Sequence, residues 1–174
     1  LLHAIAPLMQ RDERLRLRWV GDGWRREARL ALARKLGLAD RIVVTGMLPS
    51  SEIPSLIQCC DLLVHPSYRE GLPRVVVQAM LARVPVVATD ADGTREVCVP
   101  EKTGRLVPIA DVEALRSALQ HHLDHPHCSQ QWAEQAEALV RTQFTEDAMV
   151  NALETLYAKS VSYTHLTLPT TLCV

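Results

Sequence analysis

Arg69-Glu70-Gly71-Leu72-Pro73-Arg74-Val75-Val76-Val77-Gln78-Ala79-Met80 lies between two apolar runs, Leu62-Leu63-Val64 before it and Pro85-Val86-Val87-Ala88-Thr89-Asp90 after it. That pattern is a strand, a turn carrying an acid, a helix and a second strand. The three valines are ambiguous alone, because β-branched residues are mildly poor in helices and a short apolar run also suits a strand. Pro73 at a first-turn position and the following Gln78-Ala79-Met80-Leu81-Ala82 predict a helix. The turn then brings a carboxylate, a glycine and a helix N-terminus to one point. Free N–H groups at a helix start suit a phosphate. A carboxylate beside them suits hydroxyl groups such as those of a sugar.

Strand and helix signals alternate on either side. Leu1 to about Met9 reads as the end of a helix. Leu15, Leu17 and Trp19 alternate with Arg14, Arg16 and Arg18, the period of a strand. A turn at Asp22-Gly23 precedes a helix from Trp24 to Leu36, stopped by Gly37 at the position after its cap. A strand is predicted at Arg41–Thr45, a helix from about Pro49 to Cys60, and strands at Leu62–His65, Val86–Thr89 and Arg105–Val107. Three closing helices are predicted at Asp111–Asp124, His127 to about Thr142, and Thr145–Lys159. Strands alternating with helices imply parallel βαβ units, an α/β fold with a Rossmann-like open parallel sheet and flanking helices. Ligands of such sheets bind at the carboxyl ends of strands. Here those are the loops Gly21–Gly23, Gly46–Pro49, Pro66–Pro73 and Asp90–Val97.

Composition narrows the function classes. No apolar run approaches the roughly 20 residues of a membrane span, and no signal peptide is visible. Five cysteines, an odd number without zinc-ligand spacing, point to reduced thiols and a cytosolic setting. The net charge of −1 hides an asymmetry. Residues 1–41 hold ten Arg/Lys against five Asp/Glu, a balance of +5, and the remainder has a balance of −6. Aromatics are scarce and the basic residues are spread over a strand and a helix, which argues against nucleic acid. The basic half is expected to be a solvated helix face; contact with an anionic ligand or, peripherally, with the inner face of an anionic membrane is the other expectation. His121, His122, His125 and His127 invite a metal reading, but Pro126 breaks the run and no carboxylate-rich pocket accompanies it. No metal site is expected.

The loop sequences, in order, are Val20-Gly21-Asp22-Gly23, Val44-Thr45-Gly46, His65-Pro66-Ser67-Tyr68-Arg69-Glu70-Gly71-Leu72-Pro73, Gly93-Thr94-Arg95-Glu96-Val97 and Thr103-Gly104-Arg105-Leu106-Val107-Pro108. Together with Gln78-Ala79-Met80 and Pro85-Val86-Val87-Ala88-Thr89 they resemble the C-terminal, donor-binding domain of the retaining glycosyltransferases of family 4, which have the GT-B architecture. The resemblance spans nearly all of residues 1–159. It implies transfer of a sugar from a nucleotide-diphosphate sugar to a glycan or lipid-linked acceptor, without a metal or other cofactor. The family carries two glutamates with seven residues between them; here Glu70 holds the first place and Gln78 the second, keeping hydrogen-bonding capacity and losing the charge. The resemblance also implies that the chain is a fragment. A strand from the middle of the sheet, its Gly-Arg/Lys loop and the acceptor-binding N-terminal domain would precede Leu1, and the piece alone would be a poor enzyme.

The resemblance assigns roles residue by residue. Glu70 would hold donor-sugar hydroxyls as the catalytic-centre acid. Gly71 and Leu72, ahead of Pro73, would offer N–H groups to the departing diphosphate. Gln78 would reach the nucleotide ribose, and Gly21 and Gly23 would let backbone approach the nucleotide. Plainer roles compete with each: a solvated loop acid at 70, a turn glycine at 71, and an exposed helical Gln78 paired with Arg74 at i, i+4. Thr94 and Glu96 are expected to serve as caps or turn residues, and His65 as a satisfied, buried histidine. No Ser–His or Cys–His nucleophile is evident. The competing functions are a noncatalytic nucleotide-sugar-binding module, a GT-B epimerase and a Rossmann-type dehydrogenase. The last lacks the third glycine of the dinucleotide fingerprint. Residues 160–174, with Tyr163-Thr164-His165-Leu166-Thr167-Leu168-Pro169, resemble a translated sequencing-adaptor remnant and are expected to be a non-native tail.

Overall fold

The structure is a computed structural model that describes residues 1–164, with side-chain burial through 160. Its elements run α1 (Leu2–Arg11), β1 (Leu17–Val20), α2 (Arg26–Lys35), β2 (Ile42–Gly46), α3 (Ile53–Gln58), β3 (Leu63–His65), α4 (Arg74–Leu81), β4 (Val86–Thr89), α5 (Thr94–Val97), β5 (Arg105–Val107), α6 (Val112–Asp124), α7 (Pro126–Gln143) and α8 (Glu146–Thr164). Every strand pairing is parallel, as alternating βαβ units require. The strands, parallel and flanked by helices as expected, fall in two sheets, β1-β2 and β3-β4-β5. Among the described residues no ladder joins them; α1 spans the break, packing Ala4 and Leu8 over β4 and β5 while Ala6 and Met9 pack with Leu17, Leu38 and Ile42.

β4 is buried at all four positions, the mark of a strand covered by helices on both faces. One face carries a core of Val76, Ala79 and Met80 from α4, Val86 and Ala88 from β4, and Ala136 and Val140 from α7. The other carries Leu115, Ala118 and Leu119 of α6 against Val87 and Val107. Positions 76, 79 and 80 fall at helical spacing, so the ambiguous valine run is a helix. Its stripe meets α7, and tertiary packing outweighs β-branching.

Both α2 and α4 end in the same reciprocal cap. At α2, Gly37 takes a left-handed φ of 69°, Leu38 N–H donates to Ala33 at 2.9 Å and Gly37 N–H to Arg34 at 3.0 Å, the stop expected of that glycine. At α4 a non-glycine residue, Arg83, fills that place with φ 56°. Its guanidinium pairs with Glu137 of α7, which Arg141 also holds at 2.8 Å. Hydrogen bonds from Arg141 and then Arg83 keep the Glu137 carboxyl below its ordinary range.

Three details differ from expectation. α5 is a single turn that period-based reading does not detect. α3 starts at Ile53, after a turn through Pro49–Glu52. α8 continues through Thr164, so residues 160–164 of the expected tail are helical, while 165–174 lie outside the described residues.

Candidate functional site

The loop from His65 to Pro73 leaves β3 and enters α4, and β4 holds it at several points. Thr89, buried near the end of β4, donates its hydroxyl to the carbonyls of Ser67 and, at 3.4 Å, His65. Ser67 Oγ donates to the Arg69 carbonyl at 3.1 Å. The loop after β4 supplies the rest. Glu70 N–H donates to Asp92 Oδ2 at 3.1 Å, and Gly93 N–H donates to the Glu70 carbonyl at 3.3 Å. Asp92 adopts a left-handed φ of 41°, a conformation that costs energy in a non-glycine residue and persists where surrounding contacts enforce it. Gly93 lies so close to Gly71 that a Cβ would sit 2.2 Å from the Gly71 carbonyl oxygen. The glycine is required by close approach of two backbones rather than by its φ.

Within this frame the Glu70 carboxylate meets His65: Nε2 to Oε1 is 3.0 Å. Both side chains are partly shielded, at 18% and 28% exposure. A carboxylate only accepts, so the facing nitrogen carries the proton. Directly after Glu70, the N–H groups of Gly71, Leu72, Arg74 and Val75 have no hydrogen-bond partner among the described residues. Arg74 and Val75 open α4, where unbonded amides carry the positive end of the helix dipole. Pro73 is the N-cap, one place earlier than a first-turn residue, and donates no bond while its carbonyl accepts from Val76 and Val77. The place thus presents an anchored carboxylate and, next to it, a group of free donors suited to an anion. Nearby, Arg95 grips Asp90 in a bidentate pair at 3.0 and 2.7 Å.

The remaining predicted residues stand differently. Gly21 has φ 105°, and its N–H donates to the Gly46 carbonyl at 2.9 Å. Gly23 N–H is taken by Asp22 Oδ1 at 2.8 Å. No hydrogen bond joins either glycine to the 65–73 loop among the described residues. Gln78 is exposed on α4, and its side chain pairs neither with Arg74 nor with another described residue. Thr94 is fully buried without the capping bond expected of it. His65, expected as a satisfied histidine, is satisfied by Glu70 itself. Sequence reading passes over Asp92 and includes Gly93 only as the start of the loop motif Gly93–Val97, although an Asp-Gly pair after an apolar strand is a turn signal. In the histidine group, His121 stacks on Trp132 at 5.6 Å and its ring lies 4.6 Å from that of His125. Among the described residues no helix is long and apolar enough to cross a membrane.

Residues 1–125 match the family model described as Glycosyl transferases group 1. An alpha-D-kanosaminyltransferase of Streptomyces kanamyceticus is 31% identical over 90% of the chain and 40% of its own length. The D-inositol 3-phosphate glycosyltransferase of Corynebacterium diphtheriae is 31% identical over 90% of the chain and 38% of its own length. Among solved structures, Anabaena HepE in complex with UDP-glucose superposes with a TM-score of 0.76 at 26% identity, covering 92% of this chain and 44% of that one. The C-terminal domain of LpcC from Francisella tularensis, 22% identical, shares the fold with a TM-score of 0.75 over 83% of this chain and 77% of that one. The chain spans less than half the length of the two curated relatives it matches here. It belongs to the group 1 glycosyl transferases, and its α/β architecture is that of their C-terminal domain.

Proposed function

We propose that this group 1 glycosyl transferase chain is the donor-binding domain of a retaining enzyme that transfers a sugar from a nucleotide-diphosphate sugar to a glycan or lipid-linked acceptor. One observation carries the reading: an anchored carboxylate, Glu70, immediately precedes a group of unbonded N–H groups at the start of α4. Glu70 accepts hydrogen bonds from donor-sugar hydroxyls and fixes the ring, and orientation of this kind lowers the barrier. Gly71 and Leu72 donate to the diphosphate, whose charge grows as the glycosidic bond breaks, and the helix dipole stabilises that charge. Gln78 reaches the ribose from α4, and Gly21 and Gly23 admit the nucleotide. The acceptor attacks from the leaving-group side and its proton passes to the departing phosphate, so the chain supplies no nucleophile. Relatives solved with UDP and with UDP-glucose support the choice of donor class.

Residues 1–159 form this domain in our reading, and an acceptor-binding domain outside the 174 residues completes the enzyme. The chain alone then binds donor and does not turn it over. Calorimetry with UDP, UDP-glucose, GDP and NAD tests the reading: a sugar nucleotide binds and NAD does not. Binding of NAD alone would replace it with a dehydrogenase-type assignment. The uncharged, unpaired Gln78 favours one rival, a noncatalytic binding module. Activity of the full-length protein with and without Glu70→Ala separates the two.

A further inference from the structure

We propose that His65 is a positioning residue for Glu70: a proton on its Nε2 holds the carboxylate in one rotamer, ready for a donor sugar. The inference rests on the donor-binding reading of Glu70. His65 is the last residue of β3, in register with Ala88, and its carbonyl is held by Thr89. The imidazole therefore projects from backbone fixed by the sheet rather than from the loop it steadies. Its Nε2 meets Glu70 Oε1 at 3.0 Å with both side chains mostly shielded from water. Glu70 Oε2 has no partner among the described residues, so one oxygen is anchored and the other is open to hydroxyls.

Ordering a freely rotating glutamate side chain costs rotamer entropy. His65 bears that ordering before the ligand arrives, which is how preorganisation raises affinity. Asp92 and Gly93 fix the backbone of residue 70, and His65 fixes its carboxylate. The two kinds of support are separable by experiment. A packing role for His65 predicts equal effects on every ligand. A positioning role through Glu70 predicts an effect only on ligands that carry the sugar.

The test is calorimetry of the 174-residue chain with UDP and with UDP-glucose, the ligands seen in the Anabaena relative. The readout is the ratio of the two affinities. His65→Leu is expected to lower that ratio roughly threefold to tenfold, the net worth of one ordinary hydrogen bond felt through Glu70, with UDP binding unchanged. His65→Gln, which still offers an N–H, recovers part of it. In a Glu70→Gln background His65→Leu lowers the ratio no further. Equal losses for both ligands, or the same loss in the Glu70→Gln background, overturn the proposal.

A ligand-free measurement separates its failure from that of the donor reading. Long-range ¹H–¹⁵N spectra of the imidazole are expected to place the proton on Nε2, and Glu70→Ala to relax it to a tautomer mixture. A proton position indifferent to Glu70→Ala overturns the positioning role whatever the chain binds. A chain that binds neither ligand but keeps the Glu70-dependent proton overturns the donor reading, and with it the role toward a sugar.

Discussion

Two loops leave the carboxyl ends of parallel strands, and they are built in opposite ways. The loop after β3 is tied to its neighbour by Thr89, Asp92 and Gly93, and its acid is further held by His65. The loop after β1 reaches another strand through the Gly21–Gly46 bond, and its other bonds are local: Gly23 N–H to Asp22, Arg26 N–H to the Gly23 carbonyl at 2.9 Å and an Asp22–Arg26 ion pair at 3.7 Å, with Trp24 87% exposed. Order at a site is useful where charge must be met in one geometry, and slack is tolerable where a flat group slides in. In the proposed donor site the β3–α4 loop is then the prepared half of the rim, and the β1–α2 loop, held mainly by bonds within itself, is the open half.

Mutations attack the prepared half first. In the full-length enzyme Glu70→Ala is expected to cost roughly 2–4 kcal/mol of transition-state binding, on the order of a hundredfold in rate. Initial-rate assays check this, and unchanged turnover would make Glu70 an ordinary loop acid. Gly93→Ala places a methyl against backbone, the Gly71 carbonyl, which cannot swing aside as a side chain would. A loss of about 1–3 kcal/mol is expected by thermal unfolding, with donor affinity falling in parallel. A variant of wild-type stability and affinity would show that the two loops are not clamped.

The open half should respond less. Gly21→Ala meets no atom within 4 Å, so its cost is conformational only, about 1–2 kcal/mol for a left-handed L-residue. Comparing its urea midpoint with that of Gly93→Ala sharpens the contrast, since strain alone should leave binding nearer normal than collision does. Beneath the prepared half, burial first and then the Asp90 charge push the Cys98 thiol up to about 12 from 9.0. Above pH 9 the unfolded thiol ionises and the folded one does not, so the unfolded state binds fewer protons. Stability falls through the window from 9 to 12, by up to about 1.4 kcal/mol per pH unit from this one group. Urea titrations at pH 8 and 10 should show that slope, and Cys98→Ala should flatten it. The smallest effect is assigned to Gln78→Glu on the exposed face of α4: stability within about 0.5 kcal/mol and donor binding retained. Abolished binding would show that the amide itself is needed.

Much of this was legible from residue patterns. Strands β3 and β4, the helix between them, Gly37 as a helix stop and the convergence of candidates on strand ends all follow from local rules of period, capping and turn chemistry. Glu70 stood out because a carboxylate before Gly-Leu-Pro at a helix start is chemically specific. The short turn α5 has no period to detect. The split of the strands into two sheets is a matter of which edges meet, and each strand is compatible with either arrangement.

The amino-acid order determined the fold class, the family and the candidate point of chemistry, because periodicity, glycine placement and a helix mouth are local properties of the chain. Only the tertiary structure decided who holds Glu70. His65 is five residues away, and Asp92 and Gly93 are more than twenty, so their meeting depends on β3 lying beside β4 in a particular register. It decided equally that Gly93 must be glycine while Gly71 has open space where its Cβ would be. A residue's local pattern sets what it can do; contacts closed by sheet pairing between distant segments set which of those options it takes.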